Sequence, residues 1–82
     1  MKKATLIAVD GTRTEVAPAD GKKLSLAEMQ KCVGGWIERV PIKGGEMYVD
    51  EEGLLKGLPA NGEASEIAGQ HIVGNALVFT RK

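Results

Sequence analysis

The stretch Trp36-Ile-Glu-Arg-Val-Pro-Ile followed by Lys43-Gly-Gly-Glu-Met-Tyr-Val-Asp-Glu-Glu-Gly53 constrains the fold most, because it reads as two strands joined by a glycine turn. Trp36, Val40 and Ile42 share one strand parity, with Glu38 the exception among them. Met47 and Val49 alternate with Glu46, Tyr48 and Asp50 on the next strand. Period-two alternation of this kind marks a half-buried hairpin. The sequence sets no catalytic or metal-binding constellation beside it, so the pattern defines an architecture and leaves the chemistry open.

Single cores take roughly 50 to 200 residues, so the 82 residues of this chain make one domain. Domains of this size bury only about 60 to 65 per cent of their unfolded surface and often draw on disulfides, metals or self-association. Cys32 is the one cysteine and His71 the one histidine, which rules out an internal disulfide and falls short of a structural zinc site. Assembly as a homo-oligomer is the supplement that remains. Eleven basic and eleven acidic side chains cancel, which argues against a nucleic-acid binder driven by phosphate neutralisation. After Met1-Lys2-Lys3 the apolar stretch from Ala4 to Val9 is too short for a signal peptide and ends at Asp10-Gly11, so it is read as a strand. No segment approaches the ~20 apolar residues of a membrane span, and an unpaired cysteine suits a reducing compartment. The expectation is a cytoplasmic protein without a membrane anchor or a cofactor.

Ala4 to Val9 and Thr12 to Val16 flank Asp10-Gly11, a strong two-residue hairpin signal. The alternation of Thr12, Thr14 and Val16 against Arg13 and Glu15 suggests a strand near a sheet edge. Pro18 and Asp20-Gly21 end it. Ser25-Leu-Ala-Glu28 is a capping box, Leu24 and Met29 are placed to form a hydrophobic staple, and Gly34-Gly35 supplies a helix stop. These signals predict a helix over 26–33. Asn61 is placed to cap a second helix over 63–68, ended by Gly69, and a final strand over 72–80 is predicted to break near Gly74-Asn75. The order is ββαββαβ: an α+β domain with a mostly antiparallel sheet and two short helices on one face.

Asp10-Gly-Thr, Ser25-Leu-Ala-Glu-Met-Gln with Val33-Gly-Gly-Trp-Ile-Glu, Val49-Asp-Glu-Glu-Gly-Leu-Leu-Lys-Gly-Leu-Pro-Ala-Asn and Ile72-Val-Gly-Asn-Ala-Leu-Val together resemble the domain-of-unknown-function family DUF3846. The resemblance covers nearly the whole chain in the right order. It implies a small protein of bacteria, often of phages or plasmids, and it implies no established activity or agreed site. Trp36 stands where many similar sequences show tyrosine.

Several residues invite functional readings beside structural ones. Cys32 and His71 suggest a nucleophile and its base; a cysteine in the last turn of a short helix reads better as a small buried hydrophobe. His71 with Asp50, Glu51 or Glu52 suggests a metal site, but three acids at a turn are more simply solvated. Lys56 and Asn61 flank a rigid proline turn leading into a helix start, so an ammonium, an amide and free helical N–H groups are placed to converge on an anion. The structural alternative is a connector in which Leu58 plugs the core and Asn61 only caps. Trp36 and Tyr48, near each other across the hairpin, are candidates to stack a base. With three aromatics in the whole chain, burial of Trp36 is the preferred expectation. Arg39, opposite in parity to Trp36, is a candidate clamp.

The leading functional expectation is a small non-enzymatic binding protein of phage or mobile-element type. It would assemble as a homo-oligomer and capture an anionic small molecule, such as a signalling nucleotide, through Trp36, Arg39, Tyr48, Lys56 and Asn61. The alternative is a protein-interaction module that blocks a host protein through an exposed sheet edge or apolar patch.

Overall fold

The structure, a computed structural model, describes residues 2–18, 21 and 23–81. Met1 and Asp20, which entered the reading of the first strand and its loop, lie outside them. Strands β1 (Lys2–Ile7), β2 (Arg13–Val16), β3 (Ile37–Ile42), β4 (Gly45–Asp50) and β5 (Ala76–Arg81) and helices α1 (Leu26–Val33) and α2 (Gly62–Ala68) follow in the predicted ββαββαβ order. They form one antiparallel sheet with the strand order β2-β1-β5-β4-β3. The middle strand is thus β5, and its pairing with β1 runs in register from Lys2 opposite Arg81 to Ile7 opposite Ala76.

The local signals act as the chemistry demands. Ser25 Oγ accepts from the Glu28 amide at 3.1 Å and Glu28 Oε1 accepts from the Ser25 amide at 2.8 Å, closing the capping box at the start of α1. Helix α2 is capped by Asn61, whose side-chain oxygen accepts from the Ala64 amide. Strand β5 begins only at Ala76; Val73, before it, makes an isolated bridge with Ala60. The first hairpin differs from the two-residue turn expected at Asp10-Gly11. Gly11 N–H donates to the Ala8 carbonyl and Ala8 N–H donates to the Thr12 carbonyl, so the loop is Val9-Asp10-Gly11. Only Gly11 takes a positive φ, while Asp10 Oδ1 holds the Thr12 amide. This is the three-residue hairpin with a glycine bulge, and the aspartate works as a turn acceptor.

The expectation that both helices share one face is not met. On one face Ala4, Leu77, Tyr48 and Phe79 pack with Met29, Cys32 and Val33 of α1. On the other, Ile7, Met47, Val49, Ala76 and Val78 pack with Ala64, Ile67 and Ala68 of α2. Successive strand residues point to opposite faces, so neighbours such as Met47 and Tyr48, or Leu77 and Val78, serve different cores. Gly45 lets β4 approach β5: a Cβ there would stand 1.9 Å from the Phe79 carbonyl oxygen.

Candidate functional site

The sequence-derived site residues fall into three places. Asn61 is fully buried, between β1 and α2. Its Nδ2 donates to the carbonyls of Ile7 at 3.0 Å and Gly74 at 2.9 Å, and its Oδ1 caps Ala64 at 3.0 Å. Every polar atom of the amide is engaged within the chain, so Asn61 is a structural bolt and is not presented to a ligand.

Lys56 is 2.7 Å from Asp50 Oδ2. The aspartate side chain is buried and its Oδ1 accepts from the Glu52 amide at 2.8 Å. The hydrogen bond from Lys56 chiefly holds the Asp50 carboxyl below the usual aspartate range and raises the Lys56 ammonium above the usual lysine one. Its charge is spent on its own loop. Gly35 makes the pair possible, since a Cβ there would stand 2.7 Å from Lys56 Nζ and 2.9 Å from Asp50 Oδ2. The chain after β4 then turns back on itself through bonds from Gly53 N–H to the Asp50 carbonyl, from Lys56 N–H to Glu52 and from Leu58 N–H to Gly53. Leu58 covers the backbone of Gly74, as its role as a plug requires.

Tyr48 and Arg39 face one another on neighbouring strands. The Tyr48 hydroxyl donates to Glu46 Oε1 at 2.6 Å, which raises the phenol's pKa, and its ring meets Phe79 edge to face with centroids 5.6 Å apart. Arg39 lies 3.5 Å from the same Glu46 oxygen and keeps more than half of its side chain in solvent.

Trp36 corrects the burial expectation: it is 64 % exposed. It precedes β3 rather than belonging to it, and its carbonyl accepts from Glu51 N–H at 2.9 Å. Tyr48, by contrast, pairs with Arg39 three positions further along β3, so the two aromatics do not make a stacking pair across the hairpin. What stands on the loop beyond Glu51 is Leu54, 77 % exposed, and Leu55, 87 % exposed. The apolar run from Leu54 to Asn61 reads in the sequence as a loop packed onto the core, and the structure instead holds Leu54 and Leu55 out in solvent. Their spacing carried no periodicity that would have marked them as surface.

Cys32 and His71 are parted by the sheet, since Cys32 packs under α1 and His71 follows α2, which covers the other face. Burial pushes the Cys32 thiol up, away from the thiolate a nucleophile needs. Asp50, the first acid of the suggested metal set, is bound to Lys56.

The architecture defines a small α+β domain whose sheet is covered on both sides and whose loop end, at the start of β3 and the end of β4, carries exposed apolar side chains. Over residues 1–82 the chain matches the family described as a domain of unknown function, DUF3846, and it belongs to that family. Among curated proteins and among solved structures, nothing matches the chain.

Proposed function

We propose that this is a non-enzymatic binding protein that engages another protein through its loop end. The observation that carries the reading is the exposure of Trp36, Leu54 and Leu55 on two segments tied together by the Glu51-to-Trp36 backbone bond and braced by the Asp50–Lys56 pair. Large apolar side chains held out on a fixed backbone are the anchors that fill a partner's pocket. Glu51 and Glu52, both exposed, border them. The fitting partner therefore has an apolar socket with basic groups at its rim. A phage or mobile-element setting, implied by the sequence resemblance, would make that partner a host protein.

The test compares the wild-type protein with a Trp36→Ala/Leu54→Ser/Leu55→Ser variant as bait in a host lysate, after circular dichroism has shown both to be folded. A protein captured by the first and lost with the second supports the reading. A partner retained equally by both sinks it.

A second reading, capture of an anionic small molecule such as a nucleotide, is favoured by the solvent-facing Arg39 guanidinium three residues from the exposed Trp36 ring. Its support is thinner, because the Lys56 ammonium is paired with Asp50 and Asn61 is buried. A panel of nucleotides in thermal unfolding decides it: ligand at a hundred times its dissociation constant adds about 2.7 kcal/mol. No shift across the panel removes it.

A further inference from the structure

The two edges of the sheet are not equivalent. In β3, the bond between Trp36 and Glu51, with the register Ile37 opposite Asp50, directs the backbone groups of Glu38, Val40 and Ile42 toward β4. Those of Ile37, Arg39 and residue 41 face outward. Residue 41 is Pro41, so this edge lacks a donor at the end of its outward row and is blunted against pairing. In β2, the Ala8-to-Thr12 bond and the register Leu6 opposite Thr14 direct Thr14 toward β1 and leave both N–H and C=O of Arg13 and Glu15 facing outward.

Those two residues share a face and carry opposite charge. Antiparallel pairing of β2 with another β2 about a two-fold axis at Thr14 places Arg13 of each copy opposite Glu15 of the other. Both residues present their backbone groups in that direction, so each Arg13–Glu15 pair exchanges two backbone hydrogen bonds while the side chains form an ion pair above them. Thr14 meets its own copy on the opposite face, a pairing that favours antiparallel strands. Arg13 remains able to do this while holding Glu63 of its own chain. Its Nε donates to Glu63 Oε2 at 2.8 Å and a terminal nitrogen donates to the same oxygen, leaving other N–H groups of the fork unused. Glu15 is exposed and has no ion-pair partner among the described residues.

From this self-complementary edge we infer that the protein forms a two-fold dimer through β2, joining the sheets of two copies into one. The interface is short, so association is concentration-dependent. It lies on the strand opposite β3 in the sheet order and leaves the loop end free for a partner.

Sedimentation velocity over a wide concentration range tests it. The wild type is expected to pass from monomer to dimer. Glu15→Pro removes an outward N–H that no intrachain ladder uses, so it is expected to stay monomeric with an unchanged unfolding transition at high dilution. Glu15→Arg is expected to stay monomeric through like-charge contact. Arg13→Glu/Glu63→Arg, which preserves the intrachain pair with its signs reversed, is expected to be monomeric alone and to form a heterodimer when mixed with Glu15→Arg. A wild type that remains monomeric throughout, a Glu15→Pro variant that dimerises like the wild type, or a mixture that does not associate overturns the inference.

Discussion

The side chain of Asn61 reaches back 54 positions to hold the Ile7 carbonyl at 3.0 Å, fastening the end of β1 to the start of α2. Replacing it with alanine removes a helix cap, worth about 1 kcal/mol. It also leaves the Ile7 and Gly74 carbonyls without the donor that satisfies them, at about 1–3 kcal/mol for each group orphaned. Asn61→Ala is expected to lose about 3 kcal/mol or more, which in a domain this small lowers Tm by about 12 °C or more. A Tm within a few degrees of wild type would show that the amide's bonds are replaced.

The Gly35 backbone lies against the Asp50–Lys56 pair. In Gly35→Ala the flexible end of Lys56 is the group that gives way, because the Asp50 carboxylate is held by the Glu52 amide. The expected cost is the small one of loosening an ion pair whose lysine faces solvent. A double-mutant cycle checks it: once Lys56→Met has removed the ammonium, Gly35→Ala is expected to cost little more. Additive costs would place the strain elsewhere.

The same pair sets a pH dependence. Asp50 has a folded-state pKa below its unfolded value, with the Lys56 hydrogen bond as first cause. Its contribution is therefore present above the unfolded aspartate pKa of about 3.9 and is lost as pH falls through the lowered folded value. Lys56 has a raised pKa, so the contribution is also lost as pH rises through it, above about 10.4. The stability gap between wild type and Lys56→Met, measured by urea unfolding, is expected to be widest between these limits and to close at both ends. A gap independent of pH would mean that the Asp50–Lys56 ion pair does not set it.

The Tyr48 phenol is raised first by its bond to Glu46 and next by burial. Phenolate absorbance during alkaline titration is expected to appear at higher pH than for free tyrosine, and Glu46→Gln is expected to move it back down. No movement would mean that burial alone is responsible.

Trp36 is expected to give water-like, red-shifted fluorescence that acrylamide quenches readily, and Trp36→Phe is expected to change stability by less than about 0.5 kcal/mol, as surface substitutions do. Blue-shifted, protected emission would mean that the indole is covered, in the monomer or in an assembly.

Helix α1 was legible because its signals are local: the Ser25 and Glu28 caps lie three residues apart and Gly34 supplies the left-handed stop. The same holds for α2, from Asn61 to Gly69. Trp36 misled because its expected burial follows from the scarcity of aromatics, and its parity with Val40 and Ile42 runs across a strand start that the sequence does not mark. Large core volumes come instead from Ile7, Met47 and Leu77. The placement of helices on both faces did have a signal. Ala76-Leu-Val-Phe79 is an unbroken apolar run, which a strand buried on one face has no need of. The acidic alternation of β4 masked it, because Asp50 is buried through its bond with Lys56 and Tyr48 is half-buried against Phe79. The second bond of Asn61 is nonlocal, and a cap motif carries no trace of the strand it will reach.

The pairing of β1 with β5 has a consequence for synthesis. The first strand made is held on one side only by the short β2 until the last strand arrives, so on the ribosome the central ladder waits for Ala76 onward to leave the exit tunnel. Contacts between distant parts of a chain close slowly because loop entropy is spent before they form. The nascent chain therefore carries an unfinished sheet, with the β5-facing edge of β1 unpaired, until Ala76 and the residues after it have emerged.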